Sequence, residues 1–169
     1  MASILNVDKI RATGSTTDAV TVDSSGRVLK PNQICFSAYH SGNIAYGSAT
    51  NTFITHNTTR FNEGGHYDTS TGRFTVPAGC GGKYLVTFAD MYMDETSFFF
   101  IFLGIAVNGT VKQEFMATGR DNYSTVNGSM LFDLSAGDYL QMYSGMNTVD
   151  AGYWRGGETF NHFDAYYLG

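Results

Sequence analysis

Two apolar runs, Phe98 to Val107 and Val111 to Met116, are separated by Asn108-Gly109. That dipeptide accepts positive φ at both central positions of a two-residue turn, so it predicts an antiparallel hairpin rather than a helix passing through. The same punctuation recurs along the chain. Ile34 to Tyr39 is followed by Ser41-Gly42-Asn43, and Phe74-Thr75-Val76 is stopped by Pro77 and by glycines at 79, 81 and 82. Tyr84 to Met93, Met130 to Leu134, Tyr139 to Tyr143 and Phe160 to Leu168 complete the series. No helical period of useful length interrupts it. Short strands with turn signals at roughly ten-residue spacing predict an all-β sandwich or jelly roll.

The first thirty residues differ. Met1 to Lys30 holds no aromatic residue, although aromatics make up 15% of the whole chain. Val20-Thr21-Val22 and Val28-Leu29 flank Asp23-Ser24-Ser25-Gly26, the pattern of a small hairpin. Such a segment gains too little from burial to order itself without a partner. Residues 1–30 therefore read as an extension, with Pro31 as the boundary of a domain spanning 31–169.

A formal charge of −5 and the lack of any dense Lys/Arg cluster exclude a nucleic-acid groove, which needs a basic surface to displace counterions. The most apolar window, Phe98 to Val107, is about half the length a membrane helix requires. Met1 to Ile10 lacks the apolar stretch of a signal peptide, so the expected setting is cytoplasm-like. In that setting Cys35 and Cys80 are expected as idle thiols rather than a disulfide, and the sequons at Asn57, Asn108, Asn122 and Asn127 as turn and surface chemistry.

Five blocks, in order, carry a family resemblance. Phe36-Ser37-Ala38 opens the domain, and Phe61-Asn62-Glu63-Gly64-Gly65-His66-Tyr67-Asp68 runs on to Thr71-Gly72-Arg73-Phe74-Thr75-Val76-Pro77. Gly82-Lys83-Tyr84-Leu85-Val86-Thr87-Phe88 follows, then Ser129 to Leu134 with Ala136-Gly137-Asp138, then Phe163-Asp164-Ala165-Tyr166-Tyr167-Leu168. This order and spacing resembles the globular domain of the C1q/tumour-necrosis-factor type. The resemblance implies a two-sheet jelly roll of about ten strands that associates as a homotrimer. The residues have physical reasons of their own. Gly64, Gly65 and Gly72 permit positive-φ turns, Asp138 bonds its own turn, and Phe61, Tyr67, Phe74 and Tyr84 are expected to fill the space between two sheets. Leu5 to Ile10 and Asp23 to Val28 resemble, more loosely, the opening segments of virion appendage proteins of tailed phages.

Catalytic motifs are poor, and no enzyme activity or cofactor is expected. Gly79-Cys80-Gly81-Gly82-Lys83 lacks the Ser/Thr and the spacing of a phosphate loop and predicts a tight turn. Cys80 has only Lys83 as a nearby cation in sequence and reads as an inert turn residue. His40, His56, His66 and His162 show no zinc-type spacing and are expected at turns or on the surface. Asp90, Asp94 and Glu95 form the densest acidic cluster; calcium is one reading and a solvated charge cluster the favoured one. Tyr153, Trp154 and Arg155, set between glycines, are the candidate binding residues, suited to stacking on a sugar or anchoring a protein partner. The competing reading packs Trp154 at the trimer contact or over the core.

The expectation is thus a non-enzymatic homotrimer of a phage particle, a capsid decoration or a fibre or tail-tip protein located in the virion. It would join other virion proteins through residues 1–30 and meet a host-surface glycan or protein, with no nucleic acid, metal or membrane insertion. A secreted recognition ligand and a jelly-roll carbohydrate-binding or carbohydrate-active protein are the alternatives.

Overall fold

The computed structural model describes residues 7–30, 32–46, 51–93, 98–118, 123–148 and 152–169, and the expected boundary residue Pro31 lies outside them. The chain forms two compact units, one up to Ile34 and one from Cys35. In the first, β1 (Lys9–Ile10), β2 (Val20–Val22) and β3 (Val28–Leu29) make a three-stranded antiparallel sheet. The Asp23 carboxylate accepts from the backbone N–H of Ser25 and of Arg27, each at 2.9 Å, which closes the β2–β3 turn.

The second unit is all-β among the described residues. In chain order its strands are β4 (Cys35–Tyr39), β5 (Ile44–Tyr46), β6 (Asn51–Ile54), β7 (Thr58–Glu63), β8 (Tyr67–Asp68), β9 (Arg73–Thr75) and β10 (Gly82–Met93). Then come β11 (Phe98–Val107), β12 (Thr110–Ala117), β13 (Tyr123–Leu134), β14 (Tyr139–Thr148), β15 (Gly152–Trp154) and β16 (Asn161–Tyr167). Short strands share the edge of a long one, which is why they outnumber the ten expected. β13 lines one edge of β10, while β16 and then β15 line the other, followed by β4 with β7 and by β5. In the second sheet β12, β11 and β14 are adjacent, and β9 and β6 share the far edge of β14.

The predicted Asn108-Gly109 turn joins β11 to β12, with φ of 52° and 76°. Asp138 closes its corner as expected, accepting from the Ser135 N–H at 2.8 Å and from the Asn108 side chain at 2.7 Å.

The core lies between the two sheets, and strand alternation builds it. Tyr84, Val86, Phe88 and Tyr92 share one face of β10 and are buried, as is Asp90 at the same parity. Phe36 stacks on Tyr67 at 4.5 Å and on Phe74 at 5.1 Å, with Phe163 edge-on at 5.0 Å. One expected core aromatic is elsewhere. Phe61 is 45% exposed, because its position on β7, opposite Ser37, turns it away from the second sheet.

Candidate functional site

The β10 sheet has a second face, pointing away from the core. Cross-strand register aligns Leu131, Leu85, Tyr166 and Cys35 in one row across β13, β10, β16 and β4. Leu131 is 61% exposed, Tyr166 44% and Leu85 37%. Beside the row Phe61 walls a groove of about 220 Å³ over Ser37, Thr87 and Ala165. Cross-strand apolar neighbours stabilise a sheet modestly, but a continuous exposed row of them is a surface suited to a partner.

The sequence-derived binding residues are placed differently. Trp154 is wholly buried, so it presents no ring to a ligand. It lies inside because β15 pairs the end of β10 and directs Trp154 toward the second sheet. There its Nε1 donates to Ser144 Oγ at 2.8 Å, and Tyr92 meets its ring edge-on at 5.3 Å. Tyr153, at the opposite parity, is half-buried beside Met93 and Ala45. Arg155 is also half-buried; its backbone N–H donates to the Met91 carbonyl, and its guanidinium lies 3.6 Å over the Phe160 ring. Of the glycines around them, Gly152 and Gly156 serve close packing, while Gly157 takes a positive φ of 115°. A Cβ on Gly156 would come within 2.2 Å of the Gly42 backbone. The three residues form a packed seam at one end of the sandwich.

At that same end the fold gathers three ionisable side chains that the sequence leaves far apart. His40 follows β4, His56 lies between β6 and β7, and Asp90 is on β10; the exposure of each is at most 1%. His40 Nε2 lies 3.0 Å from both Asp90 carboxylate oxygens, while its Nδ1 lies 2.9 Å from the Gly42 carbonyl. Both neighbours are acceptors, so one proton must be shared between His40 Nε2 and Asp90. His56 Nε2 is 3.9 Å from Asp90 Oδ2, beyond hydrogen-bond reach, and neither His56 nitrogen has a hydrogen-bond partner. Asn161 frames the cluster, accepting from the His40 N–H at 2.7 Å and donating to the Arg155 and Gly157 carbonyls at 3.0 Å.

The electrostatics follow the geometry. Burial opposes charge on His40, but the hydrogen bond and charge of Asp90 and the Gly42 carbonyl outweigh it and hold its pKa above the ordinary value. Burial pushes Asp90 up to about 6, against the pull of His40. Burial, and then the charges of His40, His162 and Arg60, press His56 well below the usual histidine range.

These placements correct two expectations. His40 and His56 are core residues, not turn or surface ones, and Asp90 is not part of a solvated charge cluster. Asp94 and Glu95 lie outside the described residues. Alternation accounts for the buried trio only once the buried parity is known from the fold. Asp90 shares the face of Phe88 and Tyr92, His40 that of Phe36 and Ala38, and His56 that of Ile54. His66 and His162 are half-buried, as are Cys35 and Cys80, which form no disulfide with each other.

Comparison with known proteins matches this architecture. Eiger TNF from S. frugiperda superposes with a TM-score of 0.64 at 12% identity, over 82% of this chain and 94% of that one. Murine APRIL at pH 5.0 gives 0.62 at 12% identity, over 80% and 99%. The globular domain of the zebrafish complement 1qA protein gives 0.58 at 15% identity, over 81% and 98%. No curated protein sequence matches the chain. The model of the C1q domain matches residues 35–163, from the first strand of the larger unit into its last, and the chain belongs to the C1q domain family.

Proposed function

We propose that this chain is a non-enzymatic recognition and structural protein that works as a homotrimer, its copies meeting through the outward face of the β10 sheet. The observation that carries the reading is the row of Leu131, Leu85 and Tyr166 with Phe61 beside it, apolar side chains that one copy leaves in water. Covering the exposed part of each large side chain stabilises association by about 1 kcal/mol. A closed symmetric assembly hides the same patch on every copy, which an open array does not. Light scattering tests this: the expected mass is about three times the 18.5 kDa subunit, and a well-behaved monomer at micromolar concentration would sink it.

Within this reading we place the trimer on a phage particle, attached by residues 1–30. The support is the likeness of Leu5 to Ile10 and Asp23 to Val28 to virion appendage openings, together with exposed apolar side chains on the small unit at Ile10, Val28 and Leu29. Three copies of a weak anchor on one trimer bind together through effective concentration. Antibody labelling of purified particles decides the setting. The competing secreted recognition ligand, which the C1q domain match also suits, predicts the protein in the medium and none on particles.

A further inference from the structure

We propose that His40, His56 and Asp90 form a buried site for one divalent transition-metal ion, with zinc as the fitting occupant. The ligand atoms, one from each residue, lie within 4.8 Å of one another. Two atoms that each bind zinc at about 2.0–2.1 Å sit roughly 3.3 Å apart in tetrahedral geometry. The His40–Asp90 separation of 3.0 Å and the His56–Asp90 separation of 3.9 Å bracket that value. The His40 and His56 donors lie within 4.8 Å of each other, so an ion between them draws the two rings inward toward Asp90.

Three independent features point to an ion rather than to a purely structural cluster. His56 is fully buried with no hydrogen-bond partner on either nitrogen, and leaving such a group unsatisfied is costly. A metal takes the lone pair of one of them. The His40 Nδ1–H is positioned to donate to the Gly42 carbonyl, the outer contact that fixes the tautomer of a metal-bound histidine and aims its Nε2 lone pair inward. Asp90 turns both oxygens into the cluster, so it can bind through one with water in the fourth position, or through both. On binding, the ion takes the place of the proton shared by His40 and Asp90, which is released to solvent. Nitrogen and carboxylate oxygen donors without sulfur suit zinc and its neighbours over softer ions. Since all three donors are closed off from solvent, the ion is acquired as the chain folds.

The test refolds the full chain from denaturant with zinc chloride or with EDTA, followed by desalting and elemental analysis. The expected result is one zinc per chain and a melting temperature higher by roughly 5–15 °C than that of the EDTA-treated protein. His56→Leu, which fills the same space without a donor, should lose the zinc and the zinc-dependent shift while keeping its β-sheet spectrum. Zinc retained equally by His56→Leu would overturn the proposal. Should that variant not fold, cobalt(II) refolded into the wild-type chain decides. Visible bands of a tetrahedral nitrogen and oxygen site, unchanged in the Cys35→Ser/Cys80→Ser chain, support it. Absent bands, or bands with thiolate charge transfer that vanish in that chain, overturn it.

Discussion

The two faces of the β10 sheet are built by the same strands, yet they meet different surroundings. Tyr84, Val86, Phe88 and Phe163 face the second sheet and are at most 1% exposed, while Leu85, Leu131 and Tyr166 face away and remain 37–61% exposed. A one-residue step along β10 separates one environment from the other, because successive side chains point to opposite faces. The inward face has its partner within the chain, in Phe36's stack with Phe74 and in Trp154's bond to Ser144. The outward face has none among the described residues of its unit. An apolar side chain thus stabilises the fold only if another part of the same chain covers it. Leu85, Leu131 and Tyr166 are left exposed by the fold of one copy.

Breaking the inward face should have the largest effect. Trp154→Ala removes a wholly buried side chain that spans the sheets, and the expected loss is about 3–5 kcal/mol by denaturant unfolding. A loss below about 1 kcal/mol would return Trp154 to the surface role its sequence context suggested. Ser144→Ala is a gentler probe of the same contact: it leaves the indole N–H buried without its 2.8 Å acceptor, and the expected cost is about 1–3 kcal/mol. Restoring the hydroxyl as Thr should recover part of it.

On the outward face the outcome should differ in kind. Leu85→Asp sets a carboxylate in the middle of the apolar row, and the expected result is a folded monomer of 18.5 kDa on light scattering. With assembly removed, the intrinsic stability of one copy should lie within about 0.5 kcal/mol of that of another monomeric variant such as Leu131→Asp. A trimer that persists would place the contact elsewhere. The smallest effect is expected from starting the chain at Gln33. The larger unit should then melt within error of the full chain and keep its mass ratio, but fail to join particles. Full incorporation of the shortened chain would move the anchor into the jelly roll.

How much of this was legible follows from the range of the interactions. The β11–β12 hairpin, the Asp138 corner and the Asp23 turn were readable because each depends on residues adjacent in sequence, with Gly109 and Gly137 supplying the positive φ. The all-β class was readable for the same reason. Which parity is buried was not. It depends on pairings such as Phe36 with Ala165 and on which strands lie across the sandwich, and no local pattern reports those. Phe61 was therefore assigned to the wrong side, and Trp154 stood between a surface and a core reading until the pairing of β15 with β10 placed it inside. The buried trio shows the limit most clearly. The turn after β4, the β6–β7 connection and the middle of β10 supply residues that do not interact until both sheets have closed, His40 and Asp90 being 50 positions apart. By itself the sequence determined the all-β class, the turns and many of the strands, though not the short ones at Ile44–Tyr46, Asn51–Ile54 and Gly152–Trp154, and it carried the family resemblance. Only the tertiary structure decided which apolar side chains were left for a partner and which charged ones were taken out of water, because burial is conferred by whatever packs on top.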